Sequence, residues 1–218
     1  MNRLYKRASL LACLLLISLL VLSAASAGAV GYDYDYIYVS ATTAGVTEDG
    51  LAYEPGDILG SAGVGSGWFT YFDASAKGLS THNVNAIDVE APGTSSLTPA
   101  VAPPVYMSFS QNRARVPGIA GWVTPHDVVK FQTTVAAPGY SYEVFFDGAD
   151  LGLTTVSERI DSLTVWTPDE YATTSPSVPA DCTAGLLFIS TAGNYRVAGP
   201  TGAQLVGKAN DILVFCAT

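Results

Sequence analysis

The sequence predicts an all-β protein whose antiparallel strands recur in two alternating units and close into one array. After residue 27 the apolar residues stand in short runs rich in Val, Ile, Tyr, Phe and Thr, with Gly, Pro, Ser and Asn between them. No helical period persists in this part of the chain, which excludes a helical bundle. In addition, one pattern occurs twice and another three times, so we expect the strands to belong to repeated units.

The pattern that occurs twice, unit B, reads as an aromatic strand, a tight loop and a second strand. YFDASAKGLST (residues 71–81) aligns without a gap with FFDGADLGLTT (residues 145–155). The identical pairs are Phe72 and Phe146, Asp73 and Asp147, Gly78 and Gly152, Leu79 and Leu153, and Thr81 and Thr155. The dipeptide Ile-Asp follows in both copies, at residues 87–88 and 160–161.

Unit A occurs three times and consists of an apolar strand, a loop with Gly or Pro, and an Asp followed by a β-branched strand. YIYVS leads to GDIL, VYMSF leads to HDVVKF, and LLFIS leads to NDILVF. The order along the chain is A-B-A-B-A, which corresponds to about ten strands.

Such an array must protect its strand edges, because unpaired edges cause aggregation. Pairing between the first and last A units would close a barrel-like or two-sheet sandwich domain over residues 28–218. A propeller is the alternative, but propellers have about four to eight blades, so two and a half A-B repeats are too few unless the chain dimerises. Residues 91–104 and 167–181, rich in Pro, Ser and Thr, are expected to be exposed loops.

Residues 1–27 are expected to be a secretory signal peptide. A basic start, MNRLYKR, precedes an unbroken apolar run, and ASA at residues 25–27 supplies small residues for cleavage. An uncleaved transmembrane anchor is the alternative, since the run approaches the roughly 20 residues that span a bilayer. A lipoprotein modified at Cys13 fits less well, because that cysteine would divide the apolar run.

The charge balance narrows the choice of partners. Loss of residues 1–27 reduces ten basic residues to seven against nineteen acidic ones, a formal charge of −12. Nucleic acid and anionic membranes require a basic face, so we expect neither as a partner, and no stable membrane insertion after cleavage. The protein is therefore expected to be secreted or to lie at the cell surface.

Two cysteines, Cys182 and Cys216, lie outside the leader. In an exported protein an isolated pair predicts a disulfide. The bond would close a loop of about 35 residues and stabilise the fold by roughly 3–4 kcal/mol in the chain-entropy model. Two buried free thiols are the alternative.

The motifs FDGADLGL, RIDSLTV, VYMSFS, VPGIAG and HDVVKF resemble repeats of secreted bacterial proteins. Those repeats have an aromatic-FDGSD-x-GL segment, then ID-x-hydrophobic, an LLSF-like strand, VPG and a D-x-D-I/V strand. The resemblance covers most of residues 57–165 and recurs more weakly to residue 215. It implies export, repetition and β-structure, and it implies no catalytic residue. The chain departs from the pattern at Ala74 and Lys77.

The acidic residues are the first candidates for chemistry. Asp147 and Asp150 could bind Ca²⁺ together with loop carbonyls, which makes calcium the only cofactor to consider. However, Asp150 aligns with Ala76, whereas Asp147 aligns with Asp73, so a turn is the favoured interpretation of this loop.

A second set of aspartates recurs with the units, and two of them could serve a glycosidase as acid and base or nucleophile. The set is Asp57, Asp88, Asp127, Asp161 and Asp211. Catalysis requires two carboxylates in different environments, whereas residues that recur with a fold should lie in similar ones. Structural roles at strand starts are therefore favoured. The two histidines, His82 and His126, lie in no metal-spaced cluster, and the glycine-rich residues 60–67 lack a phosphate-binding lysine.

Aromatic residues are the best indication of a binding function. Strict alternation in YDYDYIY would place four tyrosines on one face of an edge strand, where they could contact a glycan or an extracellular protein. The candidate contacts are Tyr32, Tyr34, Tyr36, Tyr38, Trp68 and Trp122. Packing in the core is the competing interpretation.

Together these observations predict a non-catalytic, exported β-repeat domain that acts in surface structure, adhesion or the binding of carbohydrate or protein. The alternative is a secreted, glycosidase-like hydrolase that uses two of the acidic residues. An enzyme should break the repeat with one acidic cluster in a pocket.

Overall fold

The computed structural model describes residues 36–63, 65–90, 103–136, 138–168, 182, 185–199 and 202–217. The strands of these residues are, in order, β1 (Ile37–Ser40), β2 (Gly45–Val46), β3 (Ala52–Tyr53), β4 (Ile58–Ser61), β5 (Phe69–Phe72), β6 (Val84–Val89), β7 (Val105–Phe109), β8 (Val128–Thr133), β9 (Tyr140–Phe146), β10 (Ile160–Trp166), β11 (Gly185–Thr191), β12 (Tyr195–Ala198), β13 (Gln204–Gly207) and β14 (Leu213–Ala217). Two short 3₁₀ helices, Gly148–Leu151 and Val156–Glu158, lie between β9 and β10.

Ten of these strands form three antiparallel sheets. The first sheet has the order β1-β4-β5, the middle sheet β6-β7-β8-β9, and the third sheet β10-β11-β14. The all-β, antiparallel prediction is therefore confirmed. The described strands do not join into one closed array. Each of the three sheets ends at two edge strands that pair with no described strand of another sheet.

The sheet boundaries fall inside unit B. Its first strand ends one sheet and its second strand begins the next, so β5 and β6, like β9 and β10, belong to different sheets. The strand registers also correct one detail of the alignment. At the start of β6, Val84 pairs with Phe109, as Ile160 pairs with Thr191 at the start of β10, and a β-bulge follows each pair. Ile160 thus corresponds to Val84, and the two Ile-Asp dipeptides are not equivalent in position.

The middle sheet is covered on both faces, and β7 shows this most clearly. Val105, Met107 and Phe109 point into the core shared with the first sheet, whereas Tyr106 points into the core shared with the third. Alternate side chains of a strand point to opposite faces, so a strand between two cores is apolar without a break. All five residues of β7 are buried accordingly.

The two cores have distinct members. Their largest fully buried side chains are Ile58, Leu79, Met107 and Phe109 in the first, and Leu153, Ile160, Leu187 and Ile189 in the second. The loops between successive sheets seal both cores, because they contribute Leu79 and Leu153 at aligned positions of unit B.

Each unit A carries a short antiparallel excursion between its two strands. It is the hairpin β2–β3 between β1 and β4, an isolated bridge of Ala114 with Val123 between β7 and β8, and the hairpin β12–β13 between β11 and β14. These excursions lie at the same end of the sheets as the loops of unit B, because the Asn83 amide donates to the Thr42 carbonyl before β2, and the Arg196 N–H of β12 donates to Glu158.

The predicted disulfide is confirmed between Cys182 and Cys216. It connects the chain just before β11 to the last strand, which pairs with β11. A structural disulfide is typical of an oxidising, extracellular compartment. Within the described residues there is no helix of the length and apolar character needed to cross a membrane. The predicted leader, residues 1–27, lies outside the described residues.

Candidate functional site

The aspartate at the end of each unit A loop closes a tight turn with its side chain. The Oδ2 atoms of Asp57, Asp127 and Asp211 accept hydrogen bonds from the main-chain N–H three residues earlier, at 2.8, 2.7 and 2.8 Å. This bond from an aspartate to its own turn is a common way to satisfy a main-chain donor outside regular structure.

In the first two sheets, the second carboxylate oxygen fastens the loop of unit B. Asp57 Oδ1 accepts from the Ala74 N–H at 2.9 Å, and Asp127 Oδ1 accepts from the Gly148 N–H at 3.1 Å. Both aspartates are buried. Each therefore ties two loops together, and both of its oxygens are already occupied.

Burial raises the pKa of Asp127, although the N–H groups of Thr124 and Gly148 favour the carboxylate and oppose this effect. A raised carboxyl pKa is one mark of a catalytic acid. Here the same burial places both oxygens against main-chain donors, so the geometry indicates a structural carboxylate.

Glu158 is an acidic residue whose role the sequence pattern did not indicate. Its Oε2 accepts from the N–H groups of Thr154 and Thr155 and from the Thr155 hydroxyl, at 2.8–2.9 Å. Its Oε1 accepts from the Arg196 N–H of β12 at 2.9 Å. Although burial alone would raise the pKa of Glu158, these hydrogen bonds hold it below its ordinary value. Glu158 thus joins the loop after β9 to the hairpin of the third sheet.

Replacement of Glu158 by Gln should lower the free energy of unfolding by about 2 kcal/mol at pH 7, because charge-assisted hydrogen bonds are lost. The folded-state pKa of Glu158 lies below the unfolded one. Its contribution is therefore complete above the unfolded pKa, ordinarily 4.5, and is lost as the pH falls through the folded value. Urea unfolding at pH 7 and at about pH 3 should show the difference between the variants shrinking; an equal difference at both pH values would contradict this role.

The loop with Asp147 and Asp150 is a capped turn. Asp147 Oδ1 accepts from the Ala149 N–H at 3.0 Å and begins the 3₁₀ helix, which Gly152 ends with a φ of 93°. In the aligned loop, Asp73 Oδ1 accepts from the Ala76 N–H at 2.9 Å and from the Ser75 hydroxyl at 2.8 Å. These bonds favour the turn interpretation. Across the described residues, no three His, Cys, Asp or Glu side chains converge as metal ligands would.

Replacement of Asp147 by Ala should lower the free energy of unfolding by about 1 kcal/mol, the usual effect of losing a helix cap. The matched control is Asp150→Ala, which removes the neighbouring carboxylate and leaves the cap. Thermal melts with and without calcium measure both variants. A melting temperature of the parent protein that rises with calcium, and fails to rise in both variants, would instead support the calcium alternative.

Neither histidine has the surroundings of a metal ligand. His126 Nε2 lies 2.7 Å from the Thr155 carbonyl oxygen, so this ring joins the same two loops as Asp127. His82 packs edge-on against Phe109, with 5.5 Å between the ring centroids. Burial lowers the pKa of His82, which favours the neutral ring.

The predicted tyrosine stripe divides between core and surface. Tyr32 and Tyr34 lie outside the described residues. Tyr38 is half-buried and packs on Tyr71, with 4.8 Å between centroids, whereas Tyr36 is exposed and contacts Phe69 edge-on. The stripe therefore faces the first core at its inner end.

The two tryptophans proposed as contacts differ. The main-chain N–H of Trp68 donates to Asp49 Oδ2 at 2.7 Å, and the Trp68 side chain is half-buried. Trp122 is 49% exposed, and the Arg115 guanidinium covers one face of its ring at 4.0 Å from the centroid. Of these two, Trp122 offers the larger accessible aromatic surface.

The remaining aspartates of the recurring set have different roles. Asp88 Oδ2 accepts from the Val165 N–H of β10 at 2.9 Å, which links the middle and third sheets. Asp161 Oδ1 accepts from the Ser190 hydroxyl at 2.7 Å on the outer face of the third sheet. The five recurring aspartates thus lie apart along the array and act in separate places.

The outer face of the third sheet exposes apolar groups at positions that are buried elsewhere. Ile58, Val128 and Ile212 each follow the turn aspartate of their unit A, and their exposed fractions are 0%, 0% and 68%. Trp166 and Phe188 lie on the same outer face, with 5.0 Å between their rings. We call this surface the trailing face, defined by Trp166, Phe188, Ile212 and Val214.

The outer face of the first sheet shows the same contrast. Val39 pairs with Leu59 as Met107 pairs with Val129 and Ile189 with Leu213. The exposed fractions of these three equivalent residues are 37% for Val39, 0% for Met107 and 1% for Ile189. Two positions earlier, Ile37 is 55% exposed, whereas Val105 and Leu187 are 1% exposed. We call the surface of Ile37 and Val39 the leading face.

A cavity of about 410 Å³ opens on the trailing face. Asp161, Phe188, Ser190 and Ile212 contribute to its lining. The equivalent place on the middle sheet is filled by the start of β10, where the Ser108 hydroxyl donates to the Ile160 carbonyl at 3.3 Å. On the first sheet, the Ser40 hydroxyl likewise donates to the Val84 carbonyl at 3.0 Å.

Comparisons with known proteins add no identification: no family model matches the chain, and no curated protein or solved structure matches it either.

Proposed function

We propose that the chain is an exported, non-catalytic β-repeat domain that binds a protein partner through the ends of its array of sheets. The observation that carries this proposal is the exposure of Ile212 and Ile37 at positions that are buried in the other two sheets. Exposed apolar groups that cluster on one face of a protein mark interaction surfaces. Apolar sheet faces of this kind suit a protein partner better than a soluble small molecule.

The arrangement of the carboxylates supports a non-catalytic role. Asp57, Asp127 and Glu158 accept main-chain hydrogen bonds at both of their oxygens. A hydrolase of the glycosidase type needs two free carboxyl groups on opposite sides of the scissile bond. Carboxylates whose oxygens all accept hydrogen bonds from loops stabilise a scaffold and are not free to act on a substrate.

Export is supported by the disulfide and by the leader pattern of residues 1–27. The unit A and unit B patterns support an internally repeated domain, since the turn aspartates and the loops of unit B make matching hydrogen bonds in the first two sheets. The location that follows is the cell surface or the extracellular space.

Carbohydrate binding is a second candidate, which one residue favours. Trp122 exposes about half of its surface while Arg115 fixes its ring from behind. A tryptophan held in this way can stack on a sugar ring.

The test is a binding screen of the exported chain against arrays of glycans and purified extracellular proteins, with three variants. Ile212→Lys disrupts the trailing face and Ile37→Glu the leading face, which together are the two end faces of the array. Trp122→Ala removes the exposed aromatic ring. Protein binding that is lost in the two end-face variants and kept in Trp122→Ala is expected. Glycan binding that only Trp122→Ala abolishes would replace this proposal by the second candidate.

A further inference from the structure

We propose that the partner of each end face is the opposite end face of a second copy of this chain, so that two copies close into a ring of six sheets. This inference rests on the proposed function and names its partner. The leading and trailing faces differ in their residues, so the contact is between unlike faces.

The chain already contains two contacts of the required kind. Tyr106 and Val128 of the middle sheet pack in one core with Leu187 and Ile189 of the third sheet. Ile58 of the first sheet packs in the other core with Met107 of the middle sheet. Successive sheets therefore pack with one kind of face against another kind, always in the same order.

The two end faces are the unpaired members of that series. Ile212 and Phe188 occupy the positions of Val128 and Tyr106, the face that receives a following sheet. Ile37 and Val39 occupy the positions of Leu187 and Ile189, the face that follows a preceding sheet. A second copy supplies a leading face for each trailing face.

Polar groups at the trailing face agree with a sheet edge as occupant. In the middle sheet Asn85 and Ser108 both donate to the Ile160 carbonyl of the following sheet. On the trailing face their equivalents are Asp161 and Ser190, which bond to each other. Asp161 presents carboxylate oxygens where Asn85 presents an amide, so an occupant with N–H donors fits this place. Strand β1 pairs with β4 alone among the described strands, and its other edge offers main-chain N–H groups.

Closure sets the number of copies at two. Contacts between unlike faces either close a ring or grow into a filament. Rings of radially packed antiparallel sheets contain about four to eight sheets. Three sheets from each of two copies give six, whereas one copy gives too few and three copies give too many.

The experiment is native mass spectrometry of the exported full chain, alone and as a mixture of two variants. Wild type should have twice the mass of one chain. Ile212→Lys and Ile37→Glu, each alone, place a charge in both contacts of the ring and should each be monomeric. Their mixture restores one wild-type contact and pairs Lys with Glu in the other, so a mixed dimer should form. The matched control is Val135→Lys, which places the charge on a turn where Val135 is 92% exposed, and which should stay dimeric.

Several results would overturn the proposal. They are a monomeric wild type at all concentrations, a dimer that neither end-face variant disrupts, and a filament in place of a closed dimer. Circular dichroism of each variant separates a lost contact from a lost fold. A monomeric wild type whose binding to another extracellular protein still requires Ile212 would refute the self-association and leave the proposed function standing.

Discussion

Replacement of Asp127 by Ala should lower the free energy of unfolding by about 3 kcal/mol, because the buried N–H of Gly148 and the part-buried N–H of Thr124 both lose their acceptor. A buried donor left without a partner costs more than the hydrogen bond itself stabilises. The loss combines the turn before β8 with the loop after β9, so both should loosen together. Urea unfolding followed by tryptophan fluorescence measures the change.

The matched control for this prediction is Asp211→Ala. Asp211 makes the same turn bond, to the Lys208 N–H, but it is exposed at the open end of the array. Water can replace its carboxylate, so the loss should be well under half of that for Asp127. Equal losses for the two variants would show that the tie to the loop of unit B contributes nothing. Burial of the Asp127 carboxylate raises its pKa and disfavours the folded state, so its removal offsets part of the loss of stability. The measured change in the free energy of unfolding includes this effect.

Removal of the disulfide should lower the free energy of unfolding by roughly 3–4 kcal/mol in the chain-entropy model, since Cys182 and Cys216 are 34 residues apart. The double variant Cys182→Ser with Cys216→Ser avoids a free thiol. Unfolding under non-reducing conditions measures the loss. Wild type in a reducing buffer should fall to a similar stability.

The direct check on the bond is alkylation of purified residues 28–218 before and after reduction. No alkylated cysteine before reduction and two after it are expected. Two alkylated thiols before reduction would contradict the disulfide. A double variant as stable as wild type would show instead that the bond forms but does not limit unfolding.

The sequence predicted the strands well because short apolar or alternating runs, separated by turn residues, mark them. It also predicted the role of the turn aspartates, since Asp57, Asp127 and Asp211 stand before equivalent strands. The disulfide followed from an isolated pair of cysteines and from the expectation that the chain is exported. These features depend on residues close together in the sequence or on simple pairing.

The grouping of strands into sheets could not be predicted in the same way. A repeat shows that units resemble each other, but it does not show whether the two strands of unit B pair together or belong to different sheets. From the aligned Thr81 and Thr155 to the equivalent residues Val84 and Ile160, the second copy has two more residues, and this made the Ile-Asp alignment misleading. Contacts between sheets then hold the start of the second strand, since the Asn85 amide and the Ser108 hydroxyl donate to the Ile160 carbonyl.

Glu158 was missed for a related reason. It has no acidic equivalent in the other copy of unit B, where the corresponding residue is His82. Its partner Arg196 lies 38 residues later in the chain and offers a main-chain N–H, which any residue but proline has. The open end faces were equally hidden, because Ile212 reads as an ordinary strand residue like Ile58 and Val128.

The exposure of Ile212 in solution tests whether the ends of the array are binding surfaces. In an Ile212→Cys variant, with Val135→Cys as the control for an exposed turn, maleimide labelling is followed over a range of protein concentrations. We expect the labelling of the Ile212→Cys chain to slow as the protein concentration rises. It should become fast again when Ile37→Glu is introduced into the same chain as a second substitution. The control should stay fast throughout. Labelling of Ile212→Cys as fast as the control at every concentration, or equally slow labelling in a dilute monomer, would contradict the assignment of this face to a second copy.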